Sequence, residues 1–468
     1  MATDLWGTLY VSGITTLVDT GDANHAASVP PGSALGFVQK FQPRSSGDPP
    51  GPALKLQWSK LFGDIPTPSG DPLRPATSVT AINALATTPA GNIVIAGNTT
   101  SSFYPVVNGP VTSGGSYQKM LSGRQSGVVT ILDYAGNVVS STYLGVQDTE
   151  DQQSTVTLSS VAVDSRENVI VGGSFNHIDR WWWEVVEGYP TVSKFPITSN
   201  AYVPIEVSEA LTLNGMVGMT DAVLTRFDAE LSSVNYSVVD SAAGDCSASN
   251  PLRINHTMGE KVAVDSNDNM YLLALTNSFC LYTTKQAVQS QLTGLRDPVL
   301  LKVTPEGHLK GETKPAFAYQ TYLGFGLQSA TNHCGLAVAQ GLAPDADDNV
   351  YIACSVVGAR RKSLTNFAMN KIPHENISAD DSQPIFTGEN FFLVRVETSE
   401  SASRVTYTAG FGGTYANSLG EIVFDSTNTA VYFAGSTESA DFPVTGDAYD
   451  HNGSTQRDGV MGILGATP

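Results

Sequence analysis

An all-β propeller is the fold class that this chain of 468 residues predicts. Three observations carry the prediction. A five-residue turn followed by an alternating strand that ends in a small residue occurs six times. The copies recur at a period of about 80 residues. Little of the chain shows the 3.6-residue spacing of an amphipathic helix. Four short antiparallel strands per period make a blade, and a two-sheet sandwich does not account for six equivalent units.

The turns and second strands come first, because they define the repeat. They are Asp4 to Thr8 with Leu9 to Gly13, Thr88 to Asn92 with Ile93 to Gly97, and Asp164 to Asn168 with Val169 to Gly173. Next come Asp265 to Asn269 with Met270 to Ala274, and Asp345 to Asn349 with Val350 to Cys354. The sixth, Asp425 to Ala430 with Val431 to Gly435, has one extra turn residue. Asp and Asn suit these turns because their side chains bond nearby backbone and tolerate unusual dihedrals. Short apolar runs ahead of the turns, such as Val161-Ala162-Val163 and Ile422-Val423-Phe424, supply strand one of each hairpin.

Strand three follows a long loop, at Phe37 to Phe41, Val128 to Leu132, Ala222 to Phe227, Val299 to Val303, Phe391 to Val396 and Val460 to Leu464. Strand four follows in five units, as in Ser141-Thr142-Tyr143-Leu144-Gly145, Thr321-Tyr322-Leu323-Gly324 and Thr406 to Gly410. The reading is a single propeller domain over 1–468, with approximate blades 1–75, 76–150, 151–250, 251–330, 331–418 and 419–468. It leaves the first blade without its inner strand and the last without its outer one, 22 strands in all, and allows a seven-bladed ring in a longer chain. Middle strands are expected to be buried on both faces, and the small residue of strand two to admit a close backbone approach.

Acidic residues number 44 against 25 basic, a net charge of −19. Nucleic acid and anionic membrane surfaces are therefore disfavoured partners, since both are held through Lys and Arg. No apolar run reaches the roughly 18 residues of a bilayer span, and Met1 to Tyr10 has no secretory signal pattern.

The last unit carries Asp441-Phe442-Pro443-Val444-Thr445-Gly446-Asp447-Ala448-Tyr449, then Asp458 before Val460. The third repeats this as Phe195-Pro196-Ile197-Thr198-Ser199-Asn200-Ala201-Tyr202, with Asp221 before its strand. With the turn-Asn hairpins and Ser-Thr-Tyr-Leu-Gly, the chain resembles the SBBP (seven-bladed β-propeller) repeat family over essentially its whole length. Units one, four and five have lost the Phe-Pro segment. The resemblance implies a propeller in a secreted or cell-surface setting and brings no catalytic residues.

The connection between strands two and three is the variable loop, longest in unit three. Long loops on a rigid scaffold are where binding resides. Trp181, Trp182 and Trp183 lie in that loop just after His177 and Arg180, and aromatic faces stack on sugar rings or anchor protein partners. The leading expectation is a protein- or glycan-binding module using this long-loop face. A structural subunit of an extracellular filament, sheath or matrix, self-assembled through incomplete terminal blades, is the alternative. A polysaccharide hydrolase or lyase is third, because seven scattered histidines and no nucleophile or phosphate-loop motif give it no local support.

Asp345, Asp347, Asp348, Asp265 and Asp268 offer oxygen ligands of the kind Ca²⁺ takes, although such turns are favoured for backbone reasons alone and no complete ligand spacing is present. No other cofactor is expected. Cys334 and Cys354 flank a hairpin whose expected register, with Val338 opposite Val350, sets them across from each other. Cys246 and Cys280 bracket the inner hairpin of unit four. Two disulfides within single blades would fit an oxidising compartment; four separate thiols are the other reading.

Overall fold

The computed structural model describes residues 1–4, 6–19, 26–44, 51–64, 77–107, 116–146, 154–176, 195–202, 220–240, 256–279, 281–293, 295–324, 336–345, 347, 349–357, 369–371, 389–398, 403–424, 430–446, 448 and 456–465. Within them the fold is an all-β propeller of six antiparallel blades, without helices. Two compact units divide the chain, Met1–Ala201 with Met219–Val239, and Tyr202–Gly218 with Asp240–Pro468.

In the first unit, blade one contains β1 (Ala2–Thr3), β2 (Leu9–Thr15), a small ribbon of β3 (Leu17–Asp19) and β4 (Ala26–Ser28), then β5 (Leu35–Pro43) and β6 (Leu54–Phe62). Blade two is β7 (Thr80–Thr87), β8 (Ile93–Thr99), β9 (Ser126–Leu132) and β10 (Val138–Leu144). Blade three is β11 (Thr155–Val163), β12 (Val169–Asn176), β13 (Thr220–Phe227) and β14 (Val234–Asp240).

In the second unit, blade four is β15 (Thr257–Val264), β16 (Met270–Thr276), β17 (Asp297–Val303) and β18 (Tyr319–Tyr322). Blade five is β19 (Leu336–Pro344), β20 (Asn349–Val357), β21 (Met369–Lys371), β22 (Glu389–Thr398) and β23 (Ser403–Phe411), with β21 added parallel to β23 at its edge. Blade six has three strands among the described residues, β24 (Asn417–Phe424), β25 (Ala430–Thr437) and β26 (Asp458–Gly465).

The expected second and third strands are all present. Each second strand runs two or three residues past its small residue. The expected strand count needs three corrections, the first being the unforeseen ribbon of β3 and β4. Blade one does have an inner strand, because β1 pairs Ala2 with Tyr10 and Thr3 with Leu9, and a two-residue strand has no periodicity to read. Blade five carries the extra β21.

Strand alternation puts successive side chains on opposite faces, and within each unit the cores lie between successive blades. Ile93 and Ile95 pack with Tyr10, Val38 and Phe62 of blade one, while Val94 and Ala96 pack with Val169, Val171 and Val223 of blade three. In the second unit Val350, Ile352 and Cys354 join Tyr271 and Leu273 of blade four, and Tyr351 and Ala353 join Leu419, Ile422 and Val431 of blade six. This is the two-sided burial that the valine and isoleucine runs predict.

The small residue of strand two has a specific neighbour. In blades two to six the first strand carries one extra residue, Asn83, Ser159, Glu260, Gln340 or Gly420, so that two residues oppose one. The partner just before each bulge is the small residue, in the pairs Ile82 with Gly97, Leu158 with Gly173, Gly259 with Ala274, Ala339 with Cys354 and Leu419 with Gly435. The kinked strand drops its backbone onto that site. A Cβ on Gly97 would strike the Ala81 carbonyl, and one on Gly173 the Thr157 carbonyl.

A Gly173→Val substitution should therefore lower stability by about 2 to 3 kcal/mol despite the good strand propensity of valine. Gly446→Ala, where a Cβ meets nothing within 4 Å, should leave the melting temperature unchanged. Thermal unfolding of the two variants checks the pair.

Candidate functional site

In blades one, three, four and five the hairpin turn at the end opposite the long loops is held by one carboxylate, and in blade two the Thr88 hydroxyl accepts the Asn92 N–H in its place. Asp164 Oδ1 accepts the main-chain N–H groups of Arg166 at 2.9 Å and Asn168 at 2.8 Å, and Asn168 Nδ2 donates to Asp164 Oδ2 at 2.7 Å. Asp265 repeats this with Asn267 and Asn269, and Asp345 with Asp347 and Asn349. The aspartate and the asparagine four residues on thus form one local network.

The same device closes two turns between strands three and four, at Asp133 to Asn137 and at Asp228 with Ser232 and Ser233. These carboxylates spend their oxygens on the turn. Among the described residues no group of three His, Cys, Asp or Glu side chains is arranged to hold a metal ion. Asp268 occupies a left-handed position, φ 62°, and Asp348 lies outside the described residues.

Three of the turns continue into a buried polar row that the sequence reading did not single out. Tyr10 and Tyr271, each six residues after the turn aspartate, donate their hydroxyls to Asp4 and Asp265 at 3.2 and 2.9 Å. Opposite these tyrosines, and opposite Tyr351, the register sets Lys40, Lys302 and Arg395 on strand three. The cationic groups lie 5.9, 5.4 and 5.6 Å from the respective rings, within cation–π range. Burial, with the Asp4 charge beside it, pushes the Tyr10 hydroxyl well above its usual range.

In the first unit this row emerges in an exposed aromatic corner. Trp6 stands at the tip of the first turn and is 66% exposed, which is unusual for tryptophan. Its ring meets Tyr134, 44% exposed at the tip of the Asp133 turn, edge to face at 6.3 Å and 82°. Trp6 rests on Gly91, whose φ of +87° keeps that turn flat under the indole.

Trp58 of β6 lies against Gly136 and donates its indole N–H to the Tyr134 carbonyl at 3.3 Å. The Lys40 ammonium lies under the Tyr134 ring and donates to the same carbonyl at 2.9 Å. Gln42 Nε2 donates to the Tyr134 hydroxyl at 2.9 Å. Two ring planes at a right angle, bordered by polar groups, form a surface that can stack one apolar ring face and hydrogen-bond its edge.

At the other end, the described parts of the long loops are pinned to strand four. The Tyr143 hydroxyl donates to the Ser101 carbonyl at 2.9 Å and accepts from the Tyr104 N–H; Tyr322 does the same with Ser278 and Leu281. Gln118 and Gln289 accept the Gly145 and Gly324 N–H groups at 3.0 Å. That accounts for Thr-Tyr-Leu-Gly in the repeat.

The Phe-Pro segment is likewise an anchor. Phe195 is buried 5.4 Å from Phe175, Thr198 exchanges hydrogen bonds with Ser237, and the Ala201 N–H closes back on Thr198. Unit four keeps this pattern with Leu281, Thr284 and Ala287, so the segment persists there in altered residues. Exposed apolar side chains stand on the same loops, Phe103 and Met120 in blade two, Ile197 in blade three, Tyr282 and Leu295 in blade four and Val444 in blade six. His177, Arg180, Trp181, Trp182 and Trp183 lie outside the described residues.

The cysteine register needs correcting. The turn closes tightly at Asp345, so β19 pairs Val350 with Pro344 and Cys354 with Ala339, and Cys354 does not face the position expected for Cys334. Cys354 is a free thiol, wholly buried, and burial pushes its pKa up. Cys246, Cys280 and Cys334 lie outside the described residues.

No family model matches the chain, and no curated protein matches it. Among solved structures it is similar to a polysaccharide lyase, an ulvan lyase bound to a glucuronic acid–sulfated rhamnose fragment, with a TM-score of 0.43 and 8% identity over 100% of this chain and 78% of that one. It is also similar to a NanB sialidase from Streptococcus pneumoniae, TM-score 0.36 and 6% identity over 91% and 80%. A protein of unknown function from Dyadobacter fermentans gives 0.34 and 10% over 99% and 93%. Among the described residues no helix is long and apolar enough to cross a membrane.

Burial favours the neutral form of Asp4, Asp133 and Asp228, but the turn hydrogen bonds outweigh it and hold all three below the usual carboxylate range. Their contribution to stability is complete above the unfolded value of about 4 and is lost as pH falls through the lower folded values. Asp228→Asn should cost about 1 kcal/mol at pH 7. Its deficit against wild type should shrink below about pH 4, as denaturant titrations across pH would show.

Proposed function

We propose that this propeller is a secreted or cell-surface binding module and that its partner is a glycan. One observation carries the reading, the exposed right-angled corner of Trp6 and Tyr134 backed by Trp58. The apolar face of a pyranose ring matches an exposed indole, and its hydroxyls suit the polar border supplied by Gln42 and by Lys60, whose ammonium donates to the Gly136 carbonyl at 2.7 Å. A protein partner fits less well, because the rings stand among hydrogen-bonding side chains and lack a surrounding apolar ring. The long-loop face, with Trp181 to Trp183, is the second contact surface in this proposal. The proposal also takes the chain to be akin to the SBBP repeats, on the segments at Phe195 and Phe442.

Affinity electrophoresis through gels containing soluble polysaccharides tests the reading and separates the two faces. Retardation of the wild type is expected. Trp6→Ala should weaken it about tenfold, equivalent to about 1.4 kcal/mol, with an unchanged melting temperature because most of the ring is in solvent. If only the combined Trp181→Ala, Trp182→Ala, Trp183→Ala variant loses binding, the site belongs to the long loops. If no polysaccharide retards the wild type, the glycan reading fails.

A further inference from the structure

In a chain with 44 acidic and 25 basic side chains, β5 and β6 of blade one carry Lys40, Lys55 and Lys60 and no acidic residue. Register sets all three lysines on one face. Lys60 lies across from Val38, Lys40 across from Trp58 and Lys55 across from Gln42, and the alternation of β5 puts positions 38, 40 and 42 on the same side. Trp58 and Gln42 of this face both bond Tyr134, so the lysines border the aromatic corner.

Two of these ammonium groups are drawn out of water without a counter-charge. Lys40 is 3% exposed and Lys60 is half-buried. Each donates to a carbonyl of the Asp133 turn, Lys40 to Tyr134 at 2.9 Å and Lys60 to Gly136 at 2.7 Å. Among the described residues no carboxylate lies within ion-pair distance of either. Arg395, which takes the place of Lys40 in blade five, has such a partner in Asp345 at 3.5 Å. The carboxylates near the corner serve backbone instead. Asp4 accepts the Trp6 and Thr8 N–H groups, Asp133 that of Asn137, and Glu167 that of Ala90.

A desolvated cation is costly unless it is paired. Lys40 is held between the Tyr10 and Tyr134 rings. Lys60 has one carbonyl for three donor protons, which makes it the group a ligand can complete. Its carbonyl partner lies two residues along the turn from Tyr134, beside the ring pair.

We infer that the sugar received at the Trp6–Tyr134 corner carries an anionic substituent, a carboxylate or a sulfate ester, with Lys60 as its contact and Lys40 and Lys55 adding to the local positive field. This rests on the glycan reading and names the class of sugar. A lysine ammonium is a compact point charge without the planar fork of arginine, so it admits either anion. At a net charge of −19 the chain as a whole repels polyanions. A preference for a charged polymer must therefore come from cations close to the bound sugar, within about 10 Å at 0.1 M salt.

Calorimetric titration of the intact chain with polymers that share a backbone and differ in charge tests it. The pairs are polygalacturonate and its methyl ester, carboxymethylcellulose and hydroxyethylcellulose, and dextran sulfate and dextran. The charged member should bind about tenfold more tightly at low salt, and the ratio should fall towards one as sodium chloride is raised. The first two pairs report on carboxylate and the third on sulfate. Trp6→Ala should weaken binding of the charged member. Lys60→Gln should cut the charged-to-neutral ratio severalfold, and Lys60→Arg should retain it. Lys55→Gln, at an exposed position, should cut the ratio less and serves if Lys60→Gln lowers the melting temperature. Equal binding of both members overturns the inference and leaves the glycan reading standing. A charge preference that survives Lys60→Gln and Lys55→Gln combined, or that persists undiminished at high salt, overturns it too. Binding of no polymer removes the glycan reading and the inference with it.

Discussion

The close approach of strand one to strand two is the constraint on which the blades depend. Where Leu158 faces Gly173 and Leu419 faces Gly435, a carbonyl of the inner strand occupies the space a side chain would fill. The approach forces a bulge, and the bulge changes which residues beyond it point into each face. In blade four the same geometry is met with the roles exchanged, Gly259 on the inner strand and Ala274 on strand two. A bulky residue at either place would separate the strands and open both cores that strand two serves.

With that geometry fixed, strand two is committed to burial on both sides. The turn before it must therefore satisfy its own backbone without help from solvent on the buried side. A single aspartate does this by accepting the N–H groups two and four residues on, as Asp164 does, and the asparagine at the fourth position completes the network. The Asp–Tyr–cation rows extend this into the sheet, where Tyr10 donates its hydroxyl to Asp4 and its ring lies beside the Lys40 ammonium. At the other end, Tyr143 and Tyr322 turn a strand-four side chain into a peg for the long loop. Rigid scaffolding with anchored loops is a frame suited to presenting exposed aromatics.

How much of this was legible in the sequence follows from the range of the interactions. Turns such as Asp265 to Asn269 are closed by bonds spanning four residues, so a local motif reveals them. Second and third strands show themselves through alternation and through burial on both faces. The bulges left no such mark, since one extra residue in β19 alters register without altering composition; the larger shift from the expected pairing comes from the tight turn at Asp345, which brings Pro344 opposite Val350. Unit four retains the loop anchor with Leu281 in place of phenylalanine, which conceals the kinship until the hydrogen bonds are seen. The aromatic corner joins Trp6, Trp58 and Tyr134 across long stretches of chain, and no local pattern connects them. The one available signal was Trp6 itself, a large ring at the tip of a tight turn.

The central functional claim is that the turn-face corner of the first unit meets a sugar ring. Five tryptophans give five indole N–H resonances, and those of Trp6 and Trp58 are assignable from single Phe substitutions. Titrating the labelled chain with soluble polysaccharide fragments and following these resonances is the most direct measurement. The account predicts that the Trp6 signal shifts saturably and that Trp58, bonded to Tyr134, follows it with a smaller change. Shifts confined to Trp181, Trp182 and Trp183, with Trp6 unmoved at saturation, would contradict it.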